Sequence, residues 1–139
     1  MSSAPTNLFF YGVLRPDVAD WPFLAGLGPG RAATTRGTLH AIPDPNGWYP
    51  ALTPGDNLIH GVCHEAGSVD LAAVDAFEGA DYSRAEVVCE MEGVGGPAIE
   101  TKADLYLWTA PLPRDAQPIP NGDFARWLAE TGNAALSAR

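Results

Sequence analysis

The sequence is poor in cysteine and in basic residues, and each shortage excludes a class of protein. Its 139 residues include two cysteines, Cys63 and Cys89, which are not closely spaced. Neither a zinc ribbon nor a disulfide framework is therefore encoded, and we expect two buried thiols. The 8 Lys and Arg are scattered and stand against 17 Asp and Glu, giving a net charge of −9. Such a surface repels nucleic acid and anionic membranes, so we expect neither as a partner.

Long apolar runs are also missing. No run approaches the roughly 18 residues that a membrane-spanning helix needs. Residues 1–5 have neither the charged start nor the apolar stretch of a secretion signal. We therefore expect a cytoplasmic protein.

Motifs for nucleotides and for serine hydrolysis do not occur. The chain has no G-x-S-x-G and no P-loop. Gly26, Gly28 and Gly30 resemble part of a dinucleotide loop, but Arg31 stands where the last glycine is required. We expect no cofactor of this kind.

Glycine and proline are abundant: 15 Gly and 13 Pro make 28 of 139 residues. This predicts many turns and short elements, and the length fits one domain over residues 1–139. The apolar patterns predict strands over 8–14, 31–42, 58–65, 82–92 and 99–108, and helices over 20–25, 68–79 and from 121 onward. Composition predicts a turn over 43–47, followed by an irregular segment up to 55. The sum is an α+β fold of about six strands, in a twisted or closed, largely antiparallel sheet.

The ends of the predicted helices carry capping residues. Ser68 is expected to cap the internal helix, with Asp70 in its first turn and Gly79 ending it. Asn121 is expected to cap the last helix. The residues of the internal helix expected to face the core are Leu71, Val74 and Phe77.

The strands over 82–92 and 99–108 alternate and predict a hairpin with a turn over 93–97. Ala103 and Leu105 fall on the apolar face of the second strand. Tyr106 and Trp108 fall on the opposite face, together with Glu100, Lys102 and Asp104.

Two of the histidines lie close together in the sequence, which raises the question of a metal site. His60 and His64 lie four residues apart around Cys63. On a strand, such side chains are separated by roughly 13 Å, too far to share one ion. We therefore expect no metal.

Two other features are poorly explained by structure alone. The first is Tyr11-Gly12-Val13-Leu14-Arg15, where a glycine ends an apolar strand. Successive N–H groups at such a strand end can bind a carboxylate or a developing oxyanion. A simple bulge is the alternative interpretation.

The second feature is Glu78, at the C-terminal end of the predicted internal helix. The negative end of the helix dipole is an unfavourable place for a structural glutamate. If the side chain is also partly buried, both effects raise its pKa toward the range of a general acid and base. The alternative is an exposed, solvated glutamate.

Several short segments, in order, carry a family resemblance: 10–15 (FYGVLR), 37–39 (GTL), 49–52 (YPAL), 61–62 (GV), 74–79 (VDAFEG), 82–84 (YSR) and 119–124 (IPNGDF). They resemble the gamma-glutamylcyclotransferase superfamily in its AIG2-like branch, over most of the chain. The resemblance implies a small mixed, largely antiparallel β-barrel with flanking helices. It also implies a reaction in which the amine of a gamma-glutamyl group attacks its own gamma-carbonyl, forming 5-oxoproline without a cofactor.

The resemblance also implies roles for residues. Glu78 is the catalytic acid and base, and the substrate-binding residues are Tyr11, Gly12, Val13 and Leu14. Val13 stands where the family usually has Thr or Ser, which predicts an altered substrate preference because a hydroxyl contact is lost. Tyr82 and Arg84 match the motif as structural support, with Arg84 expected to pair with a carboxylate. A contact between Arg84 and the substrate is the alternative.

Alternatives remain open at this point. The protein is a cyclising enzyme for a gamma-glutamyl amine, amino acid or isopeptide, or else a binding module that holds a small carboxylate ligand without turnover. An enzyme that removes a gamma-glutamyl protecting group in a biosynthetic pathway is a third interpretation. The sequence does not identify the leaving amine, because loops such as 43–55 and 111–121 carry no recognisable code. It does not give the oligomeric state either, because its four tryptophans fit a core as well as a dimer surface.

Overall fold

The computed structural model describes residues 6–93 and 95–137. Residues 1–5, and Val94 within the predicted 93–97 turn, lie outside this part. The strands are β1 (Asn7–Phe10), β2 (Gly30–Asp44), β3 (Gly47–Glu65), β4 (Tyr82–Met91), β5 (Ile99–Trp108) and β6 (Gln117–Pro118). The helices are α1 (Leu71–Glu78), α2 (Phe124–Thr131) and a single 3₁₀ turn over Pro22–Leu24.

Five of the strands close into a barrel. The order is β3-β1-β5-β4-β2, and β2 pairs with β3 again to complete the circle, while the short β6 adds to β2. β1 and β5 run parallel, and the other pairs are antiparallel. The predicted α+β fold, a small mixed and largely antiparallel barrel with flanking helices, is confirmed.

The predicted turn over 43–47 is confirmed, since β2 ends at Asp44 and β3 begins at Gly47. The irregularity predicted from there to residue 55 is wrong. β3 runs without interruption from Gly47 to Glu65 and pairs along its length with β2. The register shifts between Gly37 and Thr38, which pair with Asn57 and Thr53, so residues 54–56 form a bulge. Proline signals irregularity because it lacks an N–H, but bulges tolerate it, and here Pro54 falls within the bulge.

β1 is shorter than the apolar run predicts. It ends at Phe10, and residues 12–15 form a turn closed by a hydrogen bond of 3.0 Å from the N–H of Arg15 to the carbonyl of Gly12. The apolar residues from Tyr11 to Leu14 are nevertheless buried. The apolar run therefore marks burial, and the glycine marks where the strand ends.

The N-terminal caps of both helices lie two residues after the predicted ones, whereas α1 ends at Gly79 as predicted. Asp70, not Ser68, caps α1 by accepting a hydrogen bond of 3.1 Å from the N–H of Ala73. Asp123, not Asn121, caps α2 by accepting one from Arg126. Each aspartate has the extended backbone of a cap and directly precedes its helix, so its carboxylate reaches the free N–H groups of the first turn.

The core fills the barrel and its contact with the helices. Val74 of α1 is fully buried, and Leu71 and Phe77 are partly buried and pack against the core, as predicted. Cys63 and Cys89 are free and buried, which confirms the expectation for both thiols. Within the described residues, no helix has the length and apolar character to span a membrane.

Arg15 joins the turn after β1 to the start of α2. Its guanidinium is largely buried and bonds the Asp17 carboxylate at 2.7 and 3.0 Å and the Asp123 carboxylate at 2.9 Å. Asp123 therefore serves both as a helix cap and as one of the two carboxylates bound to Arg15.

We expect Asp123→Ala to lower the free energy of unfolding by about 2–4 kcal/mol, because it removes a cap and leaves a buried guanidinium short of one partner. Asp123→Asn retains a good cap, so its free energy of unfolding should fall by about half as much. Urea denaturation of both variants measures the difference. Equal midpoints for Ala and Asn would contradict the capping role.

Candidate functional site

A pocket lies where β1 leaves the barrel and α1 ends. It holds about 360 Å³ of empty space, part of it at the open mouth. Its lining is Phe9, Phe10, Tyr11, Gly12, Val13, Leu14, Tyr49, Pro50, Glu78, Tyr82 and Tyr106. The two features singled out in the sequence, the segment over 11–14 and Glu78, thus line one pocket.

The turn after β1 presents backbone donors. The carbonyl of Gly12 accepts from Arg15, and the carbonyl of Val13 accepts a hydrogen bond of 2.8 Å from the Nε1 of Trp21. Within residues 6–93 and 95–137, the N–H groups of Gly12, Val13 and Leu14 donate to no other backbone group. These donors can accommodate an anionic or carbonyl oxygen of a bound molecule.

Gly12 has to be a glycine because of Pro50. A Cβ at Gly12 would lie 2.2 Å from the Cγ of Pro50, far inside van der Waals contact. The hydroxyl of Tyr82 donates a hydrogen bond of 2.6 Å to the carbonyl of Pro50, which holds this wall of the pocket. Tyr82 therefore supports the pocket as well as lining it.

Glu78 is the last residue of α1 and is partly buried rather than fully exposed. Gly79 follows with φ of 84°, a backbone conformation that favours glycine, and turns the chain away from the helix. The charge of Glu78 acts on two tyrosines. Burial is the main cause that raises the pKa of Tyr11, and the negative charge of Glu78 raises it further.

Tyr106 connects the two halves of the site. Its hydroxyl donates a hydrogen bond of 2.5 Å to Asp75, which lies one turn before Glu78 on α1. Its carbonyl accepts a hydrogen bond from the hydroxyl of Tyr11. Burial, then Asp75, then Glu78 raise the pKa of Tyr106, so both tyrosines remain protonated donors.

Arg84 lies beside this network rather than in the pocket lining. Its Nε is 3.1 Å from the Asp75 carboxylate, and its Nη1 is 2.8 Å from that of Asp104. These ion pairs fasten α1 to β4 and β5. They are partly exposed, so their main effect is on orientation and not on stability.

Tyr106 and Trp108 are buried, contrary to the sequence prediction. The alternation of β5 predicts them on the polar face with Glu100. The reason for their burial is that α1 lies against Tyr106, while Tyr49 and Tyr82 pack against Trp108. The signal in the sequence for this burial is the presence of two large aromatic side chains on a face predicted to be solvated.

The histidines that suggested a metal have other surroundings. The ring Nδ1 of His64 lies 3.0 Å from the carbonyl of Gly28. The backbone N–H of His60 donates to the carbonyl of Gly122. In the described part of the chain, no group of three or more His, Cys, Asp or Glu could hold a metal ion.

The raised pKa values predict sensitivity to alkali. Tyrosine in an unfolded chain ionises near pH 10, whereas the folded state keeps both protons to higher pH. The stabilisation is therefore complete below pH 10 and is lost as pH rises above it. We expect the free energy of unfolding to fall by about 1.4 kcal/mol per pH unit for each tyrosine.

Urea denaturation between about pH 10 and pH 12 checks this expectation, because each buried tyrosine contributes its own slope. Tyr106→Phe should remove the contribution of Tyr106, so the free energy of unfolding should fall less steeply with pH than in the wild type. An unchanged slope in Tyr106→Phe would show that its hydroxyl titrates normally in the folded state.

Comparison with known proteins gives the following matches. Residues 8–127 match the family described as gamma-glutamyl cyclotransferase, AIG2-like. Among solved structures, YkqA from Bacillus subtilis is similar, with a TM-score of 0.70 and 22% identity over 93% of this chain and 43% of YkqA. This chain therefore spans less than half of YkqA.

Two further structures are similar over nearly their whole length. The uncharacterized protein PH0828 from Pyrococcus horikoshii has a TM-score of 0.63 and 21% identity, over 91% of this chain and 96% of that one. The protein ytfP from Escherichia coli has a TM-score of 0.57 and 21% identity, over 90% and 98%. At these identities the likeness shows the fold. Among curated proteins, none matches the chain.

Proposed function

The chain belongs to the AIG2-like gamma-glutamyl cyclotransferase family, and from this premise we propose that it cyclises the gamma-glutamyl group of a small molecule to 5-oxoproline. The substrate is a gamma-glutamyl amine, amino acid or isopeptide, and the other product is the released amine. The observation that carries the proposal is that Glu78 lines one pocket with residues 12–14, whose N–H groups donate to no other backbone group in the described part of the chain.

The chemistry needs three contributions from the protein. The substrate has to fold so that its α-amine meets its own side-chain carbonyl carbon, a proton has to leave the ammonium, and an oxyanion has to be stabilised. A carbon–nitrogen bond then forms to close the ring, and the bond to the leaving amine breaks. No water is consumed and no electrons are exchanged, so no cofactor is required.

Glu78 is assigned the proton transfers. As a carboxylate it attracts the substrate ammonium, accepts its protons one at a time, and passes them to the leaving amine. One of the three ammonium hydrogens stays on the ring nitrogen, and the other two leave with the amine as its ammonium form. Its partly buried position next to two tyrosines supports this role, since an apolar, aromatic surrounding strengthens electrostatic interactions. The N–H groups of Val13 and Leu14 are assigned to the oxygen that becomes negative in the transition state.

The rest of the pocket supports a small-molecule partner. Apart from Glu78, the lining residues carry no charge, and aromatic rings provide most of the walls. The net charge of −9 supports the expectation that nucleic acid and anionic membranes are not partners.

Val13 favours a second candidate function, a binding module without turnover. A valine stands where the family usually has a hydroxyl, so one hydrogen bond to the substrate is missing, and a ligand bound without it would be held in a less reactive position. In that case gamma-glutamyl ligands would bind in the same pocket and persist unchanged.

The test is release of 5-oxoproline from a panel of gamma-glutamyl amino acids, gamma-glutamyl-epsilon-lysine and glutathione. Turnover of any of these supports the enzyme and identifies the class of leaving amine. Calorimetric binding without release over hours supports the binding module. Neither binding nor turnover with any member would contradict both proposals.

A further inference from the structure

Trp21 contacts both parts of the proposed site without lining the pocket. Its Nε1 donates a hydrogen bond of 2.8 Å to the carbonyl of Val13. Its ring packs on Phe77, the residue before Glu78, with ring centroids 4.7 Å apart, and on Phe23 at 5.8 Å. One side chain thus contacts the turn that presents the N–H groups and the helix that presents the carboxylate.

The peptide that Trp21 holds is the central peptide of a β-turn. Residues 12–15 form a β-turn, since the N–H of Arg15 bonds the carbonyl of Gly12. Type I and type II turns differ by a flip of the central peptide, here the one between Val13 and Leu14. The flipped form requires a positive φ at Leu14, and no described residue other than glycine has one. The turn is therefore in the unflipped form.

The orientation of that peptide decides where the N–H of Leu14 points. In a planar trans peptide, the carbonyl and the N–H point in opposite directions. The carbonyl of Val13 points to Trp21, so the N–H of Leu14 points away from Trp21. A flip would exchange the two groups and direct a carbonyl oxygen to where the N–H now lies.

We propose that Trp21 is a positioning residue, which keeps the Val13–Leu14 peptide oriented so that the N–H of Leu14 faces the bound gamma-glutamyl group. This inference rests on the proposed function, which it deepens. The steric barrier at Leu14 and the hydrogen bond from Trp21 both oppose the flip. The second of these can be removed without altering the residues that line the pocket.

The experiment compares Trp21→Phe with the wild type and with Phe23→Leu. Trp21→Phe removes the N–H and retains an aromatic ring against Phe77, whereas Phe23→Leu alters the aromatic packing and retains the N–H. A third variant carries β-(3-benzothienyl)alanine at position 21, a residue that has the shape of tryptophan but lacks the N–H. It provides the test if Trp21→Phe fails to fold.

The readouts are kcat and KM for 5-oxoproline release, with thermal unfolding as the check on folding. We expect kcat to fall about tenfold or more in both proteins that lack the N–H, with a smaller change in KM, because an oxyanion contact is strongest in the transition state. Phe23→Leu should retain kcat within about twofold. Wild-type kcat in the folded proteins without the N–H would overturn the inference and leave the proposed function standing.

If the wild type releases no 5-oxoproline, the proposed enzymatic function is contradicted. A second measurement then tests the positioning role of Trp21 by itself. The N–H resonances of Val13 and Leu14 are followed by NMR during titration with 5-oxoproline. A shift of Leu14 in the wild type that is lost in Trp21→Phe supports the positioning role. Equal shifts in both proteins, or no shift in either, would overturn it.

Discussion

Replacing Glu78 by glutamine should lower kcat for 5-oxoproline release by about 10²- to 10⁴-fold, the contribution typical of a general acid and base. The amide keeps the size of the side chain but can neither accept the ammonium proton nor return it to the leaving amine. Stability should change little, because the substitution also removes a negative charge from the C-terminal end of α1. We expect the thermal midpoint to stay within about 4 °C, equivalent to about 1 kcal/mol.

The matched control is Glu130→Gln, the same substitution near the end of α2. Glu130 is exposed and pairs with Arg126 at 2.6 Å, so its loss should cost only a few tenths of a kcal/mol and no activity. Initial rates of both variants, at equal concentrations of folded protein, provide the comparison. Wild-type turnover in Glu78→Gln would show that another group transfers the proton.

Replacing Gly12 by alanine should impair both activity and stability. The added Cβ would meet the Cγ of Pro50 at 2.2 Å, and Pro50 has little room to yield because it lies within β3 and its carbonyl is bonded to Tyr82. The turn must therefore shift. We expect a loss of about 1–3 kcal/mol in the free energy of unfolding from overpacking. A displacement of about 1 Å in the donors should lower kcat/KM about 10²-fold.

Gly96→Ala is the control for Gly12→Ala. Among the described residues, apart from its two chain neighbours, no atom lies within 4 Å of where a Cβ at Gly96 would stand, and the φ of Gly96 is not in the left-handed region. This variant should match the wild type in urea denaturation and in turnover. If Gly12→Ala also matched the wild type, the close contact with Pro50 would not constrain the turn.

Much of the barrel follows from local pattern, and the exceptions have physical causes. The alternation in β4 and β5 depends on one buried face, so the hairpin could be predicted from residues such as Cys89 and Leu105. The continuity of β3 could not, because prolines at positions 50 and 54 are compatible with a long strand only when the partner strand supplies a suitable register and bulge. That information lies in the pairing with β2.

The site shows the same division between local and distant information. Gly12 and Glu78 stand out individually, by a glycine in an apolar run and by a charge at an unfavourable helix end. Their partners do not, because Trp21 and Tyr106 are recognisable only when the turn, α1 and β5 are placed together. The sequence therefore predicts the groups proposed to react but not the groups that orient them.

The place of β1 in the barrel has a consequence for how the chain reaches its native state. β1 lies between β3 and β5, with Leu8 opposite Asp104 in the parallel pair. Contacts between residues so distant in sequence are slow to form, because the loop must close before the contact stabilises it. During synthesis, the hairpin of β2 and β3 can assemble early, but β1 cannot find its parallel neighbour until β5 has left the ribosome. The turn over residues 12–15 directly follows β1, so the pocket should be among the last parts of the molecule to form.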